Sequence, residues 1–207
     1  MIGVMTRALV VIDVQESFRQ RPLWQAISNP DIAGVVGRLV DHVRAAGDLV
    51  VWVLHSEPGS GTPFDPATGF VRLIEPLATA EGEPVLTKTS HNAFTTTNLQ
   101  QLLTSRGIRE LLIAGIRTEQ CCETTARLAA DLGYQVGFVT DATATNPIPH
   151  PDAPAAQTVP ELLADPRTLL APAVIERTVY ALAGRFATIC TVAEVTGQVA
   201  SAGRSGP

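Results

Sequence analysis

The segment AGIRTEQCCETTARLAADLGY, residues 114–134, decides the fold and the candidate chemistry of this chain, because it places two adjacent cysteines where an apolar strand meets a helix. The run ELLIAG, residues 110–115, has the length and apolar character of a buried strand, and the pattern from Glu119 onward is helical. Cys121 is therefore predicted in the first turn of the helix. Unpaired backbone N–H groups and the positive end of the helix dipole lower the pKa of a cysteine at that position, so we interpret Cys121 as a nucleophile.

The two cysteines cannot both pack against the sheet, because adjacent helical residues point about 100° apart. Cys122 lies on a face that carries small or apolar residues at helical spacing, which makes it the packing residue. The other residues of that face are Thr125, Ala126, Ala129 and Leu132. Cys121 is then free to face a cleft, but Leu128 also stacks below it, so the alternative that both cysteines are small core residues stays open.

Strand-like and helical segments alternate along the whole chain, which is typical of parallel α/β proteins. The predicted strands are residues 8–14, 49–55, 84–88, 110–115, 135–140 and 186–191. The predicted helices are residues 31–46, 96–106, 119–132 and 171–183, and Pro- and Gly-rich loops are expected at 57–69 and 146–156. We therefore predict a three-layer αβα fold with a doubly wound, mostly parallel six-stranded sheet and the first strand at its centre.

Composition and charge narrow the possible functions. At 207 residues, 45% hydrophobic and 17% charged, residues 1–207 are predicted to form one domain, with a frayed tail from about residue 196. A net charge of −5 argues against nucleic-acid and membrane partners and favours a small-molecule substrate. No disulfide framework, no apolar run of roughly 18 residues and no signal-peptide cleavage site are found, which predicts a cytoplasmic protein.

Asp13 and Lys88 stand at the ends of the first and third predicted strands. Asp13 follows four apolar residues, where an unpaired charge is expensive. It is either a solvated loop acid or helix N-cap, or a general base matched to a neighbouring thiol. Lys88 is either an ordinary surface lysine or a cation that compensates and orients the carboxylate. Because the carboxyl ends of parallel strands share one edge of a sheet, the second alternative in each case predicts that both lie near Cys121.

Three separated motifs resemble those of the isochorismatase-like cysteine hydrolases, a family that includes nicotinamidases and carbamoyl amidohydrolases. The family's D-x-Q-x-x-F segment is matched by Asp13, Gln15 and Phe18, and its lysine segment by Lys88 followed by Asn92-Ala93-Phe94, where many members have Ser-Ala-Phe. The nucleophile segment G-x-x-T-x-x-C-x-x-x-[ST]-A-R is matched by Gly115, Thr118, Cys121, Thr125, Ala126 and Arg127. The matches follow the family's order over about residues 7 to 140.

This resemblance implies covalent catalysis on a small amide, carbamoyl or ureido substrate. Asp13 would take the proton of Cys121, the sulfur would form a thioester, and water activated by the same carboxylate would hydrolyse it. The backbone N–H groups of Arg117 and Cys121 would stabilise the oxyanion, with a cis peptide between Ile116 and Arg117 turning the first of these inward.

The resemblance also suggests which side chains line the site. Phe18, His55, Phe94 and Arg117 are the possible substrate contacts. Many relatives carry a small residue at position 117, so this arginine either recognises a carboxylate on the substrate or points to solvent.

Neither a metal nor another cofactor is predicted. Nicotinamidases of the family bind a metal through Asp-x-His and a further histidine, whereas this chain has Val53 at the aspartate position and only His55 nearby. Family members usually assemble, so a homo-oligomer, either a dimer or a tetramer, is expected.

Two other functions are compatible with the same residues. One is hydrolysis of a vinyl ether, as in isochorismatases, in which the aspartate and lysine matter and a cysteine is not required. The other is a catalytically silent redox or binding protein that uses Cys121 and Cys122 as an oxidation-sensitive pair. The presence of Cys121 favours amide cleavage over the first, and the complete set of Asp13, Lys88 and Cys121 favours an enzyme over the second.

Overall fold

The computed structural model describes residues 7–198 and contains one six-stranded sheet. The strands follow the order β3-β2-β1-β4-β5-β6, and every neighbouring pair is parallel. They are β1 (Arg7–Ile12), β2 (Leu49–His55), β3 (Val85–Lys88), β4 (Glu110–Ile116), β5 (Gln135–Ala144) and β6 (Thr188–Cys190). The predicted doubly wound sheet with a central first strand is confirmed.

Helices cover both faces of the sheet. They are α1 (Glu16–Arg19), α2 (Ile32–Ala45), α3 (Leu99–Ser105), α4 (Glu123–Asp131), α5 (Val159–Ala164), α6 (Ala171–Leu182) and α7 (Val192–Val195). Short 3₁₀ turns occur at Pro22–Ala26 and Pro66–Thr68. No helix within residues 7–198 has the length and apolar character needed to cross a membrane.

The central strands β1, β2 and β4 read as continuous apolar runs because each is buried on both faces. In β1, Leu9 and Val11 pack into a core with α2 and α7, whereas Ala8, Val10 and Ile12 pack into a second core with α3, α4 and α6. Alternating side chains of one strand therefore supply both cores. This double coverage makes β2 recognisable from sequence alone at its observed bounds.

The cysteine segment differs from its prediction as one continuous helix. A π-helical turn over Thr118–Cys122 precedes α4, and the Cys122 N–H donates to the Arg117 carbonyl at 3.1 Å. Periodicity does not distinguish this wider turn from the α-helix that follows it. Leu132, predicted to pack with Cys122, caps the end of α4 and is exposed.

Three short helices, α1, α5 and α7, were not predicted, although the sequences of α5 and α7 carry a recognisable signal. In α5 and α7, Thr158 and Thr191 form capping boxes with Glu161 and Glu194, respectively. The strings TVPE and TVAE match the S/T-x-x-E pattern of such boxes. The tail predicted from about residue 196 lies mostly outside the described residues.

Gly115 sets the distance between β4 and the end of β1. Its φ is +132°, and a Cβ atom added there would lie 1.9 Å from the carbonyl oxygen of Ile12. Only a residue without a side chain permits this approach, because the obstacle is backbone that cannot rotate away. The close contact places the turn that follows β4 beside the residue that follows β1.

We expect Gly115→Ala to lower the free energy of unfolding by about 3 kcal/mol or more, because both the contact and the backbone conformation exclude a side chain. Gly37→Ala is the control: Gly37 lies inside α2, and its added Cβ would meet only Leu77 Cδ2 at 3.7 Å. That change should raise stability by about 0.5–1 kcal/mol. Urea denaturation measures both, and equal effects of the two substitutions would contradict the close approach.

Candidate active site

The carboxyl edge of the sheet brings together three side chains that are far apart in sequence. Asp13 directly follows β1, Lys88 ends β3, and Cys121 lies in the π-helical turn after β4. Lys88 Nζ is 2.7 Å from Asp13 Oδ2 and 3.4 Å from Cys121 Sγ. The side chains of Asp13 and Lys88 are 0% exposed, and Cys121 is 7% exposed. The lysine ammonium therefore contacts both the carboxylate and the thiol.

The backbone directs the Asp13 carboxylate into this edge. Asp13 has a φ of +55°, which is uncommon for a residue with a side chain, and its N–H donates to the Val53 carbonyl at 2.8 Å. Neither carboxylate oxygen makes a hydrogen bond of ordinary geometry within residues 7–198. The contact with Lys88 is therefore mainly Coulombic, and lone pairs of the carboxylate are available to a reacting group.

Burial changes the acid–base properties of both candidate groups. It raises the pKa of Asp13 above the usual 3.8, although the charge of Lys88 opposes this shift. Burial together with the nearby Asp13 charge raises the pKa of the Cys121 thiol to about 12. The prediction that the helix start lowers this pKa is therefore wrong, because burial and the Asp13 charge outweigh the opposing effect of Lys88. Cys121 is a thiol at neutral pH and needs a base.

The rings of His55, Phe64 and Phe18 pack together next to Lys88. His55 Nδ1 lies 3.4 Å from Lys88 Nζ, and both burial and the lysine charge lower the pKa of His55. The ring of Phe64 packs against His55 at a centroid distance of 5.7 Å and against Phe18 at 5.0 Å. The structure thus brings two of the predicted substrate contacts, Phe18 and His55, to one surface. Phe64 lies in a segment predicted only as a loop, and its sequence gave no periodic signal.

Gln15, two residues after Asp13 in the D-x-Q-x-x-F segment, connects the end of β1 to the end of β2. Its side-chain oxygen accepts from the His55 N–H at 2.7 Å, and its amide nitrogen donates to the His55 carbonyl at 3.0 Å and to Ser17 Oγ at 2.8 Å. The amide therefore binds the backbone at the end of β2 from the segment that follows β1. These hydrogen bonds fix the position of His55 relative to Asp13.

Thr125 connects the lysine segment to the cysteine segment. Its hydroxyl donates to the Cys121 carbonyl at 2.6 Å and accepts from the Ala93 N–H at 3.0 Å. Cys122 is fully buried in the core beside Ala126, which is the packing position that the helical spacing predicts. Phe94 follows Ala93, but its ring stacks on Tyr134 with centroids 6.1 Å apart and so contributes to packing.

The peptide bond between Ile116 and Arg117 is cis. The Arg117 N–H donates to no other group within residues 7–198. The hydroxyl of Thr118 donates to Thr143 Oγ1 at 2.9 Å, which anchors the start of the turn to β5. An N–H group without an internal acceptor is thus held on the same turn as the Cys121 sulfur.

The Arg117 side chain does not point into solvent, which was one of the two alternatives predicted for it. It is 12% exposed, and its Nη1 lies 3.7 Å from Glu119 Oε1. Burial lowers the pKa of Arg117, and the Glu119 charge opposes that shift. Glu119, which the sequence pattern did not single out, accepts a hydrogen bond from Thr145 through its other oxygen.

Within residues 7–198, no group of three or more His, Cys, Asp and Glu side chains is arranged to hold a metal ion. The polar contact of the Cys121 sulfur is with Lys88 Nζ, at 3.4 Å. The parallel sheet with helices on both faces makes the chain a doubly wound α/β protein, a class in which ligands generally bind outside the carboxyl ends of the strands.

Comparison with known proteins identifies the family. The model of the isochorismatase domain matches residues 7–163. The secreted isochorismatase effector Isc1 of Verticillium dahliae is 34% identical over 158 residues, which cover 76% of this chain and 81% of that protein. Nicotinamidase 3 of Arabidopsis thaliana is 44% identical over 151 residues, covering 67% of this chain and 73% of that protein.

A solved structure agrees with these sequence matches. The crystal structure of an isochorismatase from Pseudomonas putida superposes with a TM-score of 0.77 at 28% identity, covering 91% of this chain and 89% of that one. The chain therefore belongs to the isochorismatase family of hydrolases, as the three motifs predicted.

The ion pair between Asp13 and Lys88 makes a testable contribution to stability. We expect Asp13→Asn or Lys88→Met alone to lower the free energy of unfolding by about 3–5 kcal/mol, because each leaves a buried charge without its partner. The double substitution should cost less than either single one, since it leaves neither charge. Urea denaturation of the four proteins measures this coupling.

The control for this cycle is the exposed pair Arg72 and Glu75, whose closest atoms are 3.8 Å apart and whose side chains are 53% and 85% exposed. Their substitution by Gln should change stability by no more than about 0.5 kcal/mol. Additive losses at Asp13 and Lys88 would show that the two charges do not stabilise each other.

Proposed function

We propose that this protein is a cysteine-dependent amidohydrolase that cleaves a small amide, carbamoyl or ureido substrate through a thioester. The observation that carries the proposal is the buried contact of Lys88 with both a carboxylate and a thiol, at 2.7 Å from Asp13 and 3.4 Å from Cys121. A thiol whose pKa is about 12 is a poor nucleophile until a base removes its proton. Asp13 is the carboxylate placed to do so.

In the first stage, Asp13 accepts the thiol proton as the sulfur attacks the carbonyl carbon. The carbonyl electron pair moves to the oxygen, which the Arg117 and Cys121 N–H groups stabilise. Collapse of this intermediate breaks the C–N bond, and the leaving nitrogen takes the proton from Asp13. Burial assists this exchange, because a carboxylate with a raised pKa is a stronger base.

In the second stage, Asp13 removes a proton from water as the hydroxyl oxygen attacks the thioester carbon. The C–S bond then breaks, and Cys121 recovers the proton as the product carboxylic acid forms. Lys88 stays close to both groups, so it stabilises the negative charge on either the carboxylate or the sulfur. Its position in contact with both is what supports a role throughout the cycle.

Vinyl-ether hydrolysis remains the second candidate, because a relative at 34% identity carries the name of an isochorismatase effector. Two observations favour amide cleavage instead: the thiol contacts the ammonium that pairs with the Asp13 carboxylate, and a nicotinamidase is 44% identical. A redox role has less support, since Cys122 is fully buried and packs in the core.

The proposal is tested by ammonia release from a panel of small primary amides, carbamoyl amino acids and ureido acids, with isochorismate as the comparison. We expect at least one member of the panel to release ammonia. Cys121→Ser should lower kcat at least about 1000-fold because it removes the nucleophile, and Asp13→Asn should have a comparable effect. Mass spectrometry of the quenched enzyme should show an acyl adduct on Cys121.

Cys122→Ala is the matched control, because it changes the neighbouring cysteine outside the reacting cluster. It should cost about 1 kcal/mol of stability and leave most of the activity. Equal loss of activity from the two cysteine substitutions would favour the redox pair. Turnover of isochorismate without any amide cleavage would replace the amidohydrolase by the vinyl-ether enzyme.

The pH dependence of kcat/KM provides an independent prediction. Asp13 must be ionised to act as the base, so activity should fall with decreasing pH through a midpoint above 3.8, the direction in which burial moves the pKa of Asp13. The Cys121 pKa of about 12 means that thiol ionisation should produce no increase in kcat/KM between about pH 7 and about pH 10. A rise centred near pH 8 to 9 would contradict the protonated resting thiol.

A further inference from the structure

The proposed reaction leaves one pair of buried charges without a role. Arg117 and Glu119 lie on the same turn as Cys121, and their side chains are 12% and 8% exposed. The guanidinium of Arg117 makes no hydrogen bond within residues 7–198, because its nearest carboxylate oxygen, Glu119 Oε1, is 3.7 Å away. That oxygen is itself buried and without a hydrogen bond in the same part of the chain.

Such an arrangement is expensive unless another molecule completes it. The buried Glu119 oxygen has lost its hydration without gaining a hydrogen bond, and the five N–H donors of the mostly buried Arg117 guanidinium have no acceptor within residues 7–198. Elsewhere a partly buried arginine and a glutamate meet at hydrogen-bond distance, as Arg44 and Glu83 do at 2.7 Å. The longer separation of Arg117 from Glu119 leaves the donors of Arg117 available.

The charges around Arg117 favour an anion. Arg21 is close enough for its charge to lower the pKa of Arg117, and Cys121 is close enough to affect it as well. Arg21, Arg117 and Glu119 together carry a net charge of +1 when all three are ionised. A single carboxylate would bring this group to neutrality, and its two oxygens match the planar donor pair of a guanidinium.

We propose that the substrate carries a carboxylate in addition to the bond that is cleaved, and that Arg117 binds this carboxylate. The inference rests on the proposed amidohydrolase function and narrows its substrate to a small amide or carbamoyl acid. Arg117 then acts twice: its N–H faces the developing oxyanion, and its side chain holds the distant end of the substrate. Glu119 orients the guanidinium and limits its attraction for anions that lack the correct shape.

The test measures binding to the Cys121→Ser protein, in which the substrate is not consumed. Malonamate, succinamate and N-carbamoylglycine are each titrated by calorimetry beside their own neutral methyl ester. At least one acid should bind 10-fold or more tightly than its ester. Arg117→Gln in the same background should remove that preference by weakening the acid on the order of 10- to 100-fold while leaving the ester within about 3-fold.

Two further variants separate recognition from a structural role. Arg38, an exposed arginine on α2, is the matched control, and Arg38→Gln should leave both affinities unchanged. Glu119→Gln removes the competing carboxylate and should raise the preference for the acid several-fold. If the pair merely supported the turn, Glu119→Gln would lower the urea midpoint without changing the ratio of acid to ester affinity, and this result would overturn the inference.

The outcomes also distinguish this inference from the proposed function. No acid preferred over its ester, or a preference that survives Arg117→Gln, would overturn the inference even if the enzyme hydrolysed neutral amides. Preferential binding of an acid that depends on Arg117 would support it. If the protein with an intact Cys121 then released no ammonia from that acid, the proposed amidohydrolase function would fail while carboxylate recognition stood.

Discussion

The ion pair between Lys88 and Asp13 is the interaction on which the site depends. Both side chains are fully buried, so each charge requires the other within a few ångströms. Asp13 leaves β1 and Lys88 ends β3, and β2 lies between these strands. The parallel registers that pair Ile12 with Val53 and His55 with Lys88 allow the lysine to reach across the end of β2. Sheet order and register are therefore constrained by the electrostatics of one contact.

The second constraint is the close approach of Gly115 to Ile12, which acts on the other side of β1. It draws the turn after β4 towards Asp13, so that the Cys121 sulfur comes within 3.4 Å of Lys88 Nζ. The ion pair positions Asp13 and Lys88, and the close approach at Gly115 allows Cys121 to reach them. A substitution at Gly115 would thus alter the site through the backbone, although its own position carries no side chain.

Sequence reasoning succeeded where a local pattern and a topological rule were sufficient. The buried run LVVWVLH marked β2, and the rule that parallel strands end at one edge brought Asp13, Lys88 and Cys121 together. It failed for the Cys121 pKa, because that value depends on the balance between burial, Asp13 and Lys88 in three dimensions. The sequence pattern also carries no signal for the packing of Phe64 on His55 or for the stacking of Phe94 on Tyr134. Neither aromatic contact follows from spacing along the chain.

Lys88 and Arg117 have separate roles in the proposed enzyme. Lys88 touches the carboxylate and the thiol, so moving a proton between them relocates one negative charge that stays beside the same ammonium. This arrangement limits the charge separation that the reaction must create in a dry environment. Arg117 touches neither group at hydrogen-bond distance and has donors to spare, which suits a fixed substrate anion. Lys88 stabilises the negative charge that moves between Asp13 and Cys121, whereas the Arg117 side chain binds the fixed carboxylate of the proposed substrate. A side-chain change at position 117 can therefore alter substrate specificity without disturbing the chemistry at Lys88.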